Sequence, residues 1–547
     1  MTVLRTCTGL AVAALIALLG ACSGGSGGGS PPPPPPPAIT KAEAFQFLNQ
    51  TTFGATEVEA QRVISLGYAA WIDDQIARTP SRQLPFLQSL PAPMVGDFEL
   101  QADRVDIWFR NVVNGDDQLR QRVAFALSQI MVVSQNSALV NQPFGLASYY
   151  DLLAERAFGN YRDLMEAVTL HPAMGVYLSM LGNEKPNAAL NIRPDENYAR
   201  ELMQLFTIGL VELNDDGSVK VDGSNQPIAT YDQSIIEGFA HVYTGWTYAG
   251  APGFRQARPT RANQVIPMQS YPGFHDTGSK KLLGGTVLPA NQTAEQDLDA
   301  ALDNIFNHPN VGPFVARQLI QRLVTSNPSP AYVQRIARVF NNNGSGTRGD
   351  LKAVVRALLL DAEARNPGAT SARGKLKEPV IRLTQLWRAY DGKSQSGKYP
   401  LIFAGAAFGE GPLQSPSVFN FYSPAYSPPG ELRDQGLVAP EMQIATEYLN
   451  ANITNYMLDQ MLNRNSAATG LGADDIVVDI SAEMNIAGDS GALADSVAQK
   501  LLGRGLEAPL RAAIVQMLDN FAPTDTVLRA ADAIYLVATS PAFAYQD

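Results

Sequence analysis

The chain has 547 residues, of which 41 are lysine or arginine and 52 are aspartate or glutamate, for a formal net charge of −11 at pH 7. This acidic balance, without a stretch rich in basic residues, argues against nucleic acid as a partner. The length is sufficient for two or three packed lobes, and no stretch beyond the N-terminal segment has the length and apolarity of a membrane span.

The N-terminal segment predicts an export signal. Arg5 precedes an apolar run over residues 10–19 that is too short for a stable membrane anchor. The run ends in LGAC at residues 19–22, which resembles a bacterial lipoprotein box. We therefore expect residues 1–21 to be removed as a signal peptide and Cys22 to carry a lipid. The alternative is an ordinary signal peptide with a coincidental cysteine.

Residues 22–40 predict a tether. A Gly/Ser-rich stretch is followed by seven prolines, so a flexible part precedes a stiff one. The other cysteine of the chain, Cys7, lies in the segment expected to be removed, which excludes an internal disulfide. Ser23 is not the aspartate typical of retention at the inner membrane. We expect an exported body held at the outer membrane by the lipid on Cys22.

The body predicts a mainly α fold. From Lys41 onward the apolar residues recur mostly with a period of 3.6, and strands with a period of 2 are scarce. We expect one large helical domain over residues 41–547, or two lobes with a break near 366–375 or 431–440. The stretch 116–134 predicts one long amphipathic helix. Four helix starts are predicted from capping residues: Thr230 with Gln233, Thr293 with Gln296, Ser329 before Pro330, and Asp350.

Three segments do not follow the helical period. Residues 212–231 contain two Asp-Gly turns and predict a β-hairpin excursion. Residues 247–292 and 408–431 predict two long loops rich in proline and glycine. Loops of this length in a compact body are usually functional or disordered.

The segment RPDENYARELMQLFTIGL at residues 193–210 predicts a helix with one apolar and one polar arc. The polar arc includes Glu196, Arg200 and Glu201. Glu196 and Arg200 are four residues apart, a spacing by which a solvated helix face is often stabilised. From the residues alone, this arc is interpreted as an exposed face.

Histidines are the other candidates for chemistry, since the chain has only four. His275 and Asp276 lie on the first long loop, with Lys280 shortly after them. A metal site would need His171 and other ligands to converge from separate elements, and no HExxH or HxH motif is present. From Lys41 onward the chain also lacks the GxSxG elbow of serine hydrolases and a complete GxxxxGK(S/T) loop of phosphate-binding proteins.

Several segments together resemble a known family. HPAMGVYL, ENYARELMQLFTIGL, TGW, HDTGSKKLLG, HPNVGPFVARQLIQRLV, GDLKAVVRALLLDAEAR and SPSVFNFYSPAYSPPG resemble, in order and spacing, the domain-of-unknown-function 1800 family. The resemblance extends from about Ala44 to the C-terminus. Members are large exported bacterial proteins, often encoded beside a sulfatase-like companion. The resemblance therefore implies an exported location and a candidate partner, but it assigns neither a reaction nor a cofactor.

The resemblance also changes the interpretation of the polar arc. The family's signature helix has a uniform polar half, which implies that this half faces inward or lines a cleft. Two positions depart from the family pattern: Gln204 replaces a glutamate, and His241 stands where an arginine is expected. Both departures count against a metal site that would depend on them.

These residues support two hypotheses for the function of the protein. The first is an envelope hydrolase acting on polymer or glycan material, with Glu196 or Glu201 as general acid or base. In this hypothesis the side chains of Arg200 and Lys280 bind an anionic group, and the loop with His275 and Asp276 closes the site. A variant of it places a metal between His171, His275, Asp276 and Glu201.

The second function is a non-catalytic helical scaffold that presents a surface to another exported protein. In this hypothesis the same charges form buried ion pairs that fix the fold. The two functions differ in whether the charged residues converge on an open pocket or are paired inside the protein.

Overall fold

The computed structural model describes residues 38–91, 97–365, 374–463, 465 and 470–546. Within these ranges the protein is mainly α, with 25 α-helices and three two-stranded antiparallel ribbons. The prediction of a mainly α fold is confirmed. The predicted signal, Cys22 and nearly all of the predicted tether lie outside the described residues.

The elements follow in chain order. The helices are α1 (Lys41–Thr51), α2 (Glu57–Leu66), α3 (Tyr68–Ala77), α4 (Leu84–Ser89), α5 (Asp97–Asn114), α6 (Gln118–Ser128), α7 (Pro143–Arg156), α8 (Tyr161–Thr169), α9 (Pro172–Tyr177), α10 (Asn197–Glu201), α11 (Gln233–Val242), α12 (Ala294–Phe306), α13 (Val311–Leu323), α14 (Pro330–Asn341), α15 (Leu351–Leu360), α16 (Ala362–Arg365), α17 (Pro379–Ala389), α18 (Ala404–Phe408), α19 (Glu431–Asp434), α20 (Glu447–Leu458), α21 (Ser481–Ile486), α22 (Ser490–Leu502), α23 (Ala508–Leu518), α24 (Thr526–Ala538) and α25 (Pro541–Ala544). The strands pair as β1 (Trp246–Thr247) with β2 (Gln269–Ser270), β3 (Lys280–Lys281) with β4 (Val287–Leu288), and β5 (Lys375–Leu376) with β6 (Tyr545–Gln546).

Helix α6 lies at the centre of the core, because every one of its residues is buried. Beside it, the indole of Trp108 on α5 packs edge to face against Phe53 and Phe109, with ring centroids 5.4 and 4.9 Å away. Edge-to-face aromatic pairs stabilise a core beyond what the burial of their apolar area contributes. The polar residues of α6 must find partners inside the protein, and Gln118 Nε2 donates to the carbonyl oxygens of Val112 and Gly115.

The helix predicted over residues 116–134 ends early, since α6 stops at Ser128. The predicted caps are otherwise close to those observed. Thr293 and Gln296 form the predicted capping box of α12, and Ser329 and Asp350 cap α14 and α15. The cap predicted at Thr230 is wrong.

Helix α11 starts at Gln233, and the side chain of Asp232 caps it by accepting from the backbone N–H of Ile235. Thr230 Oγ1 instead donates to the carbonyl oxygen of Gly209 at 2.6 Å. Both residue types are good N-caps, so the two candidates could not be separated from local sequence.

The segment 212–231 is an excursion held by isolated bridges between Val211 and Ala229, Leu213 and Val219, and Val221 and Pro227. The segment 247–292 contains β2, β3 and β4 between irregular stretches.

Residues Ile39–Asp547 form one compact unit. Of the two predicted breaks between lobes, 366–375 lies mostly outside the described residues, and 431–440 contains α19. Among the described residues, none of the helices combines the length and apolarity that crossing a bilayer requires.

Candidate functional site

The signature helix changes its hydrogen-bond pattern halfway along. Helix α10 covers Asn197–Glu201 and continues into a π-helical segment over Leu202–Thr207. Thr207 Oγ1 donates to the carbonyl oxygen of Leu202 at 2.6 Å, so this carbonyl group of the wide π-helical turn has a side-chain partner. Segments of π-helix are rare and frequently occur at functional sites.

The polar arc of this helix divides between core and surface. The side chains of Glu201 and Thr207 are buried. Glu196, Arg200 and Gln204 are partly exposed, and Asn197 is exposed. The arc is therefore neither a plain solvated face nor wholly turned inward.

Glu196 and Arg200 form a surface cluster with Gln233. Arg200 Nη2 donates to Glu196 Oε2 at 3.0 Å, and Gln233 Nε2 donates to Glu196 Oε1 at 2.9 Å. About a third of each charged side chain is exposed. An exposed pair of this kind contributes about 0–1 kcal/mol.

Glu201 differs from these neighbours, because it is 7% exposed and its Oε2 has no hydrogen-bond partner among the described residues. Burial raises the pKa of Glu201, and the charge of Arg200 opposes that shift. Burial raises the pKa of the Tyr177 and Tyr231 hydroxyls to about 12, and the nearby charge of Glu201 contributes to both shifts. A carboxyl that stays protonated more readily than usual can serve as a general acid.

The loop residues His275 and Lys280 both bind Asp297, a residue of α12. His275 Nε2 and Lys280 Nζ lie 3.0 and 2.6 Å from Asp297 Oδ2. His275 Nδ1 lies 2.9 Å from the carbonyl oxygen of Thr244. Both ring nitrogens of His275 therefore have hydrogen-bond partners inside the protein. We call His275, Lys280 and Asp297 the Asp297 cluster.

The Asp297 cluster is closed to water, since His275, Lys280 and Asp297 are 1%, 2% and 0% exposed. Lys280 Nζ also donates to the carbonyl oxygens of Asp276 and Gly278, at 2.6 and 2.9 Å. All three donors of this ammonium group are thus engaged, and none is directed at an open surface.

Asp276 turns away from this cluster and pairs with His241 at the end of α11. Its Oδ2 is hydrogen-bonded to His241 Nδ1, and its Oδ1 accepts from the backbone N–H of Gly278. The hydrogen bond from His241 is the main reason why the pKa of Asp276 falls to about 2. His241 is thereby paired with a carboxylate on the first long loop.

The two groups of predicted site residues lie at opposite ends of α11. Gln233 binds Glu196 at the start of the helix, and His241 binds Asp276 near its end. At 1.5 Å per residue these positions are about 12 Å apart. The structure therefore brings Glu196 and Arg200 together, and His275, Asp276 and Lys280 together, but not the two sets with each other.

The residues of the hypothetical metal site all have other surroundings. His171 Nδ1 accepts from the backbone N–H of Ala173 at 3.1 Å, so its Nε2 carries the proton and faces Ser148 Oγ at 3.2 Å. Burial lowers the pKa of His171 to about 3, and the ring serves as the cap of α9. Within the described ranges no three His, Cys, Asp or Glu side chains come together as metal ligands.

Sequence reasoning missed a second buried cluster, centred on Glu378. Glu378 lies 3.3 Å from Lys375 Nζ and 3.6 Å from Arg122 Nη2, and its Oε1 accepts from the Tyr422 hydroxyl at 2.9 Å. Lys375 Nζ also pairs with Glu441 at 3.0 Å. We call these five residues, with Glu410, the Glu378 network.

Charge is unevenly distributed within the Glu378 network. Burial alone would raise the pKa of Glu378, but Lys375 and Arg122 hold it at about 2. Burial and the Glu378 charge raise the pKa of Glu410 well above its usual range. Oε2 of Glu410 has no hydrogen-bond partner among the described residues, and the whole network is buried. No sequence signal marks it, because its members come from distant parts of the chain.

We expect Asp297→Asn to destabilise the protein strongly. The substitution leaves the ammonium group of Lys280 buried without its carboxylate, and breaking a buried pair in this way typically costs about 3–5 kcal/mol. Urea unfolding at pH 7 measures the change in the free energy of unfolding.

The matched control is Arg200→Gln, which breaks a partly exposed pair and should cost less than about 1 kcal/mol. If Asp297→Asn is too unstable to purify, Lys280→Met/Asp297→Asn removes both charges and should restore part of the loss. Equal stability of Asp297→Asn and Arg200→Gln would contradict a structural role of the Asp297 cluster.

The Asp276–His241 pair predicts a loss of stability in acid. Because the folded-state pKa of Asp276 is depressed, its contribution is present above the unfolded pKa near 4 and disappears as the pH falls toward 2. The contribution at neutral pH is about 2 kcal/mol. Unfolding should show Asp276→Asn less stable than the wild type at pH 7 and nearly equal to it at pH 2. A constant difference between the two proteins over this range would argue against the pair.

Comparison with known proteins agrees with the signature segments. The family model described as "Protein of unknown function (DUF1800)" matches residues 46–545. No curated protein matches the chain, and no solved structure matches it. Since the matched span covers most of the chain, the protein belongs to the DUF1800 family.

Proposed function

We propose that this protein is a non-catalytic envelope scaffold, exported and held at the outer membrane by a lipid on Cys22. Its partner in this proposal is an exported sulfatase-like companion protein. The export signal, the LGAC box and the Gly/Ser/Pro-rich stretch in the sequence support the anchoring part of the proposal.

The observation that carries the scaffold proposal is the state of the Asp297 cluster. Lys280, to which the hydrolase hypothesis gives an anionic substrate, and His275, which would close the site, are both bound to one carboxylate and closed to water. Charges arranged in this way fix the loop to the helical body. They support a structural role for the segment in which a substrate site was sought.

An exposed aromatic pair supports a contact surface for the partner. Phe98 and Phe403 are 57% and 64% exposed, and their ring centroids lie 6.2 Å apart. Aromatic side chains are enriched among the residues that dominate protein–protein binding. Contiguous exposed apolar surface often marks a site of protein–protein contact.

Site-specific photocrosslinking in the cell envelope tests the scaffold proposal. A benzophenone amino acid replaces Phe403 in the full-length, membrane-anchored chain. We expect a crosslink to an exported sulfatase-like protein, identified by mass spectrometry. The same probe at Val287, which is 60% exposed on β4, is the control and should not give that product.

Addition of Phe98→Ser to the Phe403 probe chain should reduce the yield of the crosslink, because half of the aromatic pair is lost. The proposal fails if position 403 gives no protein crosslink, or if positions 403 and 287 give the same products.

A second candidate function, a hydrolase of polymer or glycan material, is favoured by one observation. Glu201 is a buried carboxyl with a raised pKa and an oxygen without a hydrogen-bond partner among the described residues. This is the state expected of a general acid.

If the hydrolase function holds, the purified protein should release soluble products from envelope polymer, and Glu201→Gln should abolish the release. The rate should fall as the pH rises through the raised pKa of Glu201, because the acid form donates the proton. Glu196→Gln is the matched control, since Glu196 is already paired with Arg200 and Gln233. Product release that is absent, or equal in both variants, counts against this function.

A further inference from the structure

A groove lies between the β-hairpin excursion, helix α13 and the second long loop. Its volume is about 280 Å³. We call it the hairpin groove. Its lining is mainly apolar, with one cation, and includes Leu210, Val211, Val219, Phe314, Ala425 and Arg317.

The walls of the hairpin groove are held by buried and partly buried hydrogen bonds. Asn310 Nδ2 donates to the carbonyl oxygens of Ile208 and Val211, both at 2.8 Å, and Asn310 Oδ1 accepts from the backbone N–H of Leu213 at 2.9 Å. On the opposite side, Gln321 Nε2 donates to the carbonyl oxygen of Pro424 at 3.2 Å. The groove is thus preformed, as small-molecule sites usually are.

Arg317 is the unusual member of this lining. Its guanidinium group makes neither a hydrogen bond nor an ion pair with the described residues, and it remains accessible to solvent. The surrounding atoms lower its pKa, and no acidic side chain opposes that shift. In contrast, Arg322 on the same helix binds the carbonyl oxygens of Gln129 and Gln318.

Because Arg317 has no counter-charge and lies at an apolar groove, it favours a ligand with one anionic group and an apolar part. A carboxylate can accept two hydrogen bonds from a guanidinium group, and such pairs are strong and directional. The apolar walls favour an aliphatic chain, because burial of each methylene group is favourable. A sugar or nucleotide would leave many of its polar groups without partners against this lining.

We propose that the hairpin groove binds an aliphatic monocarboxylate, with its chain against the apolar lining and its carboxylate on Arg317. The cavity has the volume of roughly nine water molecules at ~30 Å³ each, which favours a chain of medium length. This binding function does not depend on the scaffold proposal, since the groove and the Phe98–Phe403 pair are formed by different residues.

Isothermal titration of the purified full-length protein with octanoate tests the proposal. We expect one saturable site, with affinity rising about fourfold for each methylene from hexanoate until the groove is filled. Octanol and octylammonium, which share the chain but lack the carboxylate, should bind at least tenfold more weakly.

Variants locate the site. Arg317→Met should weaken octanoate binding about tenfold while leaving octanol binding unchanged. Ala425→Trp fills the groove from an exposed loop position and should abolish the binding of both compounds. Arg338→Met is the matched control, because Arg338 is an exposed arginine on neighbouring α14 that does not line the groove, and it should bind as the wild type does.

Thermal unfolding of each variant without ligand shows that the fold is retained. The proposal is overturned if octanoate does not bind, if octylammonium binds equally well, or if Arg317→Met and Ala425→Trp bind octanoate like the wild type. It is also overturned if binding involves several equivalent sites, since that would indicate general adsorption of amphiphiles.

Discussion

A carboxylate that is fully removed from water must find its partners inside the protein, and Asp297 has two of them. Its Oδ2 lies within 3.0 Å of both His275 Nε2 and Lys280 Nζ. Asp297 belongs to α12, whereas its partners belong to the loop before that helix. This interaction therefore fixes the loop to the helical body. A loop held in this way is part of the fold and is poorly suited to act as a mobile lid.

Close backbone contacts support the same arrangement. Gly238 lies in the middle of α11, where a Cβ atom would come 1.9 Å from the carbonyl oxygen of Lys281. Gly245 has a φ of +86°, and a Cβ atom there would lie 2.8 Å from the backbone nitrogen of His275. Both glycines allow the loop to approach α11 more closely than any side chain permits. The position of the loop is thus determined by backbone packing as well as by charge.

The sequence was sufficient to predict the helical class, three of the four helix caps proposed from it and the family, because these depend on local patterns. It could not predict the partner of His275 and Lys280. Asp297 occurs in an amphipathic stretch with Asp299 and Asp303, and nothing local distinguishes the buried aspartate from the two that bind Arg162 at the surface. The Glu378 network could not be predicted for the same reason. Arg122 and Glu441 are more than 300 residues apart in the sequence, and they join one network only in the folded chain, through Glu378 and Lys375. Patterns in sequence report periodicity, whereas pairing of buried charges is a property of the tertiary structure.

In a protein whose charged groups are mostly paired, a ligand can be bound only by polar groups that still lack a partner. Glu201 and Arg317 both have unused capacity for hydrogen bonds, and the segment after Glu201 connects their surroundings. The π-helical turn ends at Thr207, and Gly209 then adopts a φ of +72° with its Cα side against the ring of Phe314, where a Cβ atom would lie 3.4 Å away. Phe314 in turn lines the hairpin groove beside Arg317. A ligand in the groove would therefore pack against the end of the signature helix.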